Sequence, residues 1–327
     1  MKKTKQAFTL IELMVVCVII ALLAMLASTA YFGAMQMARE VKTIGTISKL
    51  DAAISDIYES YEFRFEHIED ALNKDSQQNF DQIKSLLSEV DIIKFKRSLM
   101  YDLMRMEMPS NRVEVIDAPK NVSIPNHINI TFKLEVPAVK NVYKAIVSEE
   151  STSDLATQSA ELLYLIIANL DPEALENFTA SEIGDTDGNG LSEFIDGWGR
   201  PIAFIRFAPG FTDTDRQPDL IRYRKKWNLS TEGIKDMITD LTDDRKAEII
   251  NQWQDPFDPE MLASGSWFLY PVIMSAGRDG KFGIVITRTG NDEKPVSTYD
   301  PFSSGGTIGV PDGDGSYDNI HNHSTFR

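Results

Sequence analysis

Residues Asp185-Thr186-Asp187-Gly188-Asn189-Gly190-Leu191-Ser192-Glu193-Phe194-Ile195-Asp196 have the types and spacing of a calcium-binding loop. Calcium takes about six to eight hard oxygen donors, and the EF-hand template gathers them by spacing them along one tight loop. Here the donors are Asp185, Asp187, Asn189, the backbone carbonyl of Leu191, Glu193 and Asp196, with Gly190 at the sharp turn. Asp in place of Glu at the last position shortens the reach of that ligand. A helix normally follows such a loop, but Gly197 and Pro201 favour a turn and a strand. The same residues also fit a solvated Asx turn that binds nothing.

Further along, Asp312, Asp314 and Asp318 alternate with Gly313 and Gly315, either as metal ligands or as an acidic tail. His321 and His323 would share one face of a strand, and without a third ligand such a pair is expected to be exposed and polar. His67 and His127 are isolated. The chain has no HExxH, Walker loop, GxSxG or GxGxxG, so no hydrolase, phosphate or dinucleotide site is signalled.

Composition narrows the classes further. The 327 residues include 33 basic and 49 acidic side chains, a formal charge of −16, with 43% hydrophobic residues and one cysteine. That apolar content is enough for a packed core and excludes a disordered or collagen-like chain. A single thiol, Cys17, excludes a disulfide framework and a four-thiolate metal site, and within its apolar run it reads as a small hydrophobe. The acid surplus argues against nucleic acid as a partner, because neutralising phosphates needs excess lysine and arginine.

The N-terminus sets the compartment. Lys2, Lys3 and Lys5 precede an apolar run from Phe8 to Ala27, interrupted only by Thr9 and Glu12. As a helix at about 1.5 Å per residue, that run covers roughly 30 Å, the thickness of a bilayer's hydrocarbon core. The lysines place the N-terminus in the cytoplasm and the bulk of the chain outside the membrane. A secretory signal peptide would fit too, with Ser28-Thr29-Ala30 as its cut site and a mature chain starting at Tyr31. Glu12 weighs against it, since a carboxylate inside an apolar helix costs about 2.5–3.5 kcal/mol and an ordinary signal gains nothing from it.

Ala7-Phe8-Thr9-Leu10-Ile11-Glu12-Leu13-Met14-Val15-Val16, with lysines before it and apolar residues after it, resembles the N-terminus of type IV pilins and type II secretion pseudopilins. The resemblance implies cleavage by a prepilin peptidase between Ala7 and Phe8, methylation of the new Phe8 amine, and retention of Glu12 as an assembly determinant. The physical logic is that Glu12 meets the positive α-amine of a neighbouring Phe8 only when subunits stack. The family normally has Gly where this chain has Ala7; both are small, as the protease requires.

Two later segments extend the resemblance. Asp196-Gly197-Trp198-Gly199-Arg200-Pro201 is similar to the D-x-W-G-x-P turn of the major pseudopilin, and Ser275-Ala276-Gly277-Arg278-Asp279-Gly280-Lys281-Phe282-Gly283 to its strand end and calcium-loop entry. By that likeness Asp279 joins Asp312, Asp314 and Asp318 as a second candidate calcium site. The stretch from about Ile68 to Gly184 has no counterpart in the short family members and resembles an insertion of the larger ones.

Those features need elements to hold them. Ile44, Ile47, Leu50, Ile54, Ile57, Tyr58, Tyr61, Phe65 and Ile68 recur every three or four residues, so the helix begun at Phe8 should continue to about Ile68, with Gly33 and Gly45 as points of bending or melting. A helix is expected over Asn79–Met106, and another over Ser153–Leu170. Ile128 to Val136 alternate as a strand, with Arg112–Ile116 as its partner. Short strands are expected over Pro201–Phe207, Trp267–Ser275 and Phe282–Thr287, with a helical excursion at Ile234–Trp253.

The expected fold is α+β: a long N-terminal helix, transmembrane in its first half, packed on a domain with a small antiparallel sheet, a helical insertion and Asp/Gly-rich C-terminal loops. The divisions are leader 1–7, membrane or filament helix 8–28, amphipathic continuation 29–68, insertion 69–183 and sheet region 184–327. The function that follows is a non-enzymatic subunit, a pseudopilin or minor pilin of a secretion or pilus-like filament. Its expected partners are other pilin subunits, prepilin peptidase, an inner-membrane assembly platform and the membrane, with calcium as a cofactor. The alternative is an exported or anchored enzyme or binding protein behind an ordinary signal segment.

Overall fold

A computed structural model describes residues 10–70, 80–85, 87–116, 122–124, 127–132, 136–147, 154–214, 216, 255–258, 268–286, 308–312 and 318–324. Its dominant element is helix α1, Leu10–Glu66, 57 residues without a break. At about 1.5 Å per residue it is roughly 85 Å long. Neither Gly33 nor Gly45 melts a turn of it. Each costs only about 1 kcal/mol, and Gly45 is flanked by the buried Thr43, Thr46 and Ile47, whose packing outweighs that cost.

The two halves of α1 meet different surroundings. Every described residue from Leu10 to Ala34 is exposed. From Thr43 onward one face is buried, and Ile47, Leu50, Ile54 and Tyr61 lose all contact with solvent. This is the predicted stripe. It packs on Met100, Tyr101 and Met104 of α3, Tyr143 of α5, Leu162 and Ile166 of α6, and Phe194, Phe204 and Ile273 of the sheet region, all in one core.

The elements after α1 are α2 (Phe80–Lys84), α3 (Glu89–Glu107), α4 (Arg112–Ile116), β1 (Val122–Ile124), β2 (His127–Phe132), α5 (Ala138–Ile146) and α6 (Leu155–Leu170). The single helix expected over Asn79–Met106 is therefore two, because Ser88 starts α3 afresh by accepting from the Asp91 N–H. In the same way Asp154 caps α6, its carboxylate accepting from the Thr157 N–H at 2.8 Å. A 3₁₀ segment, Pro172–Asn177, then leads to β3 (Ile183–Gly184), β4 (Glu193–Phe194), β5 (Ala203–Ile205), β6 (Val272–Ser275) and β7 (Ile320–His321).

Among the described residues three small antiparallel sheets form. β1 pairs with β2, β3 with β4, and β5, β6 and β7 lie in that order. The register sets Phe204 against Ile273 and Met274 against His321. The β3–β4 pair brackets the acidic loop, and a lone bridge from Ile195 to Pro201 closes the turn behind it.

Some expectations fail. Arg112–Ile116 is a helical turn and not the partner of β2. Its Val-Glu-Val alternation mimics a strand, but Asn111 accepts from the Glu114 N–H and Glu114 reaches back to the Ser110 N–H, which closes a helical cap. Of the strand expected over Phe282–Thr287, the described residues 282–286 show one bridge, Ile284 to Pro311, and Thr287 lies outside the described residues. Ile234–Trp253 lies outside the described residues.

The division of α1 is testable on the full chain in detergent. Leu50→Ala should cost about 2–5 kcal/mol in chemical denaturation, the usual price of a core truncation. Leu23→Ala, on the exposed half, should leave domain stability within about 0.5 kcal/mol of the parent; equal losses at both positions would refute the division.

Candidate functional site

The first half of α1 is a helix long and apolar enough to cross a membrane, and the domain buries none of that stretch. Glu12 lies in the first described turn of α1 and is exposed like the rest of that stretch. Ala7 and Phe8 fall outside the described residues. Where the apolar run ends, Ser28 and Thr29 donate their hydroxyls back to the Ala24 and Leu26 carbonyls, so neither adds an unsatisfied polar group to the helix.

The loop after β3 winds around Asp185. One oxygen of Asp185 accepts from the N–H groups of Gly188 (2.7 Å) and Asn189 (3.1 Å), and the other accepts from Gly190 (2.9 Å). Gly188 and Gly190 take positive φ to allow this, 75° and 89°. Asn189 Oδ1 accepts from the Leu191 N–H. Glu193 is fully buried and accepts from the Thr186 N–H at 2.8 Å. Burial pushes its carboxyl up to about 7, and the nearby charges of Asp187, Glu161 and Asp185 add to the rise against the opposing Thr186 hydrogen bond.

One carboxylate that the sequence did not point to joins this loop. Glu161 of α6 is buried, and one of its oxygens lies within 4.8 Å of an oxygen of Asp187 and an oxygen of Glu193. The Asn189 amide bridges Glu161 (2.6 Å) and Asp187 (3.0 Å), while Arg112 pairs with the other Glu161 oxygen at 2.6 Å. Glu161, Asp187 and Glu193 are thus the residues that could hold a hard cation here.

Asp196, expected as the final ligand, is used otherwise. One oxygen accepts from the Trp198 and Arg200 N–H groups and the other accepts from the Ser275 hydroxyl at 2.7 Å, so it organises the following turn. Asp185 likewise spends its oxygens on the backbone of its own loop.

In the second region, Asp279 accepts from the Lys281 N–H and donates its own N–H to Asp318 Oδ2 at 2.9 Å. The other Asp318 oxygen is buried without a hydrogen-bond partner, a position that suits a cation. Asp312 is exposed, and its backbone N–H donates to the Gly283 carbonyl. Asp314 lies outside the described residues.

The histidines depart from expectation, since both are buried. His321 Nε2 is 3.1 Å from Asp213. His323 Nε2 is 3.1 Å from the carbonyls of Tyr270 and Pro271, which fixes it as the donor nitrogen, and Nδ1 accepts from the Thr214 hydroxyl. Burial drives the His323 pKa down to about 3, so it serves as a neutral structural tie.

Residues 2–28 match the family model of the prokaryotic N-terminal methylation motif. The chain carries a prepilin-type N-terminus. The match supports a type IV pilin-like protein processed by prepilin peptidase, and it coincides with the exposed, membrane-competent half of α1. No curated protein and no solved structure matches the chain.

Glu193 gives a pH test. Its folded pKa, about 7, stands above the ordinary carboxylate value of about 4.3. Its contribution is therefore fully present below the unfolded pKa and is lost as pH rises through the folded one. Glu193→Gln stays neutral and keeps an acceptor for Thr186. In chelator it should melt above the parent at high pH, with the gap closing as the solution is acidified towards the ordinary carboxylate pKa; a gap independent of pH would contradict the assignment.

Proposed function

We propose that this chain is a structural subunit, a pseudopilin or minor pilin, of a type II secretion or type IV pilus-like filament, and not an enzyme. The observation that carries this reading is the coincidence of the methylation motif with an apolar helix that the domain leaves exposed. Such a helix needs cover from lipid before assembly and from other subunits after it.

The subunit waits in the inner membrane with its lysines on the cytoplasmic side and its domain outside. Prepilin peptidase cuts between Ala7 and Phe8 and methylates Phe8. The assembly platform then draws the helix from lipid into the filament, where Glu12 pairs with the Phe8 amine of a neighbouring subunit. The size of the domain behind so slender a helix suits a tip or low-copy position. Two acidic regions, Glu161 with Asp187 and Glu193, and Asp279 with Asp318, take calcium from the extracytoplasmic medium and stiffen the loops.

Mass analysis of the mature N-terminus decides the central claim. Methylated Phe8 is expected, whereas a chain starting at Tyr31 would sink it in favour of an exported protein behind an ordinary signal. Glu12→Ala should leave membrane insertion intact and cut filament incorporation by at least tenfold, since breaking a buried pair costs about 3–5 kcal/mol; unchanged incorporation would dismiss the pairing.

Calcium is tested by thermal melting of the full chain in detergent. Saturation at a hundredfold excess over the dissociation constant should stabilise by about 2.7 kcal/mol. Glu193→Gln should reduce the shift and Asp318→Asn should reduce it independently. Coincident melting curves in calcium and in chelator would remove the metal from the reading.

A further inference from the structure

The turn Asp196–Pro201 lies where α1 passes from its exposed half to its buried half. The first residues of α1 that the domain covers are Met35 and Gln36. Against this stretch the turn sets two consecutive residues. A Cβ at Gly197 would stand 2.2 Å from the Arg39 carbonyl oxygen, closer than any side chain can approach. Gly197 is not among the glycines with positive φ, so it is close approach and not backbone conformation that requires glycine here.

Its N–H donates to the Thr43 hydroxyl at 2.8 Å, and that hydroxyl donates to the Arg39 carbonyl at 2.8 Å. Trp198 donates its indole N–H to Gln36 Oε1 at 2.9 Å. Gln36, Arg39 and Thr43 follow one another at spacings of three and four, and so form one face of the helix.

The outer side of the turn is tied to the sheet. Asp196 receives the Ser275 hydroxyl at the end of β6, and Arg200 donates to the Gly277 carbonyl at 2.8 Å. A brace stands beside it. Glu182 accepts from Thr46 and from Lys49, and although burial alone would raise its carboxyl, the hydrogen bonds from Lys49, Thr179 and Thr46 bring it down to about 2. The grip therefore runs without a gap from the helix through the turn into the sheet.

We propose that this turn is a collar that fixes the height and angle at which the domain stands on its helix, and so positions the domain against its neighbours in the assembly. Gly197, Trp198 and Thr43 are positioning residues in this sense. From Ala27 to Gln36 the helix rises only about 14 Å. A small change of angle at the collar would swing the exposed half through a large arc, because that half runs roughly 40 Å from Gln36 back to Leu10. The consequence for assembly rests on the pilin-like reading, whereas the grip itself does not.

The test uses the full chain in detergent, with Cys17→Ser and spin labels at Tyr31→Cys and Lys281→Cys, and reads the distance distribution by pulsed EPR. The parent should give one narrow distribution. Gly197→Ala should at least double its width. Should that variant fail to fold, the double variant Gln36→Leu with Thr43→Val removes both hydrogen bonds and should broaden the distribution likewise. Thr43→Ser retains the hydroxyl and should restore the parent width. Unchanged widths in folded variants, or Thr43→Ser behaving as Thr43→Val, would overturn the collar.

The same variants are then followed in cells. Processing at Phe8 should persist while filament incorporation falls at least tenfold; normal incorporation with a broadened distribution would overturn the role in assembly. Failure of the pilin-like reading would show separately, as an unmethylated Phe8 in the parent.

Discussion

One helix in this protein meets two different surroundings along its length. From Leu10 to Ala34 it offers mostly apolar side chains to its surroundings, and from Thr43 to Phe65 it buries a stripe in a core shared with helices α3 to α6 and strands β4 to β6. Hydrogen bonding inside the helix satisfies its backbone in either environment, which is why one unbroken element can serve both. Everything else in the fold is arranged around the second half. Helices α3, α5 and α6 and the strands close around the stripe, and nothing among the described residues reaches down to cover the first half.

The end of the helix is held by charge as well as by packing. Glu107, at the end of α3, receives the Tyr61 hydroxyl at 2.8 Å and a two-point contact from Arg64 at 2.6 and 3.0 Å, and its carbonyl receives Tyr143. Deeper in, the fully buried Arg206 donates to the Met108 carbonyl and to both oxygens of Glu114. Burial would raise the Glu114 carboxyl, but Arg206 beside it holds it below the ordinary value. Such pairs add little net stability, since desolvation offsets the attraction, but breaking one leaves an uncompensated buried charge. They specify how α3 and α4 seat on α1 and the sheet region more than how tightly they do so.

How much of this was legible depended on the range of the interactions. The stripe of α1, the apolar α6 and the core of β6 follow from periodicity, which is a local property, and they stand close to where the sequence puts them. The turn at Asp196 was legible as a turn, but its purpose was not, because Gly197 answers to a helix carbonyl far away in the chain. Glu161 joins the acidic loop through Asn189, 28 positions on, and nothing in the local pattern of α6 reports it beyond an acid in an apolar run. The burial of His321 and His323 escapes the local pattern for the same reason: their partners, Asp213, Thr214 and Tyr270, come from other parts of the chain.

The charge of −16 then acquires a spatial meaning. Some acids are absorbed by partners, as Glu107, Glu114, Glu161 and Glu182 are. Others line the face of α1 that looks away from the core: Asp56, Glu59, Glu62 and Glu66 are all exposed, at helical spacings of three and four. They repel one another, and the Glu62 carboxyl is raised by partial burial and then by Glu59 and Glu66. Two copies of this chain could not bring those ridges together without cost, because like charges at such spacing oppose contact. The lower half of α1 carries no such ridge; between Leu13 and Tyr31 it has no charged side chain at all. The charge pattern therefore opposes contact between copies along the half that the domain already holds and sets no such cost along the segment that bears the methylation motif.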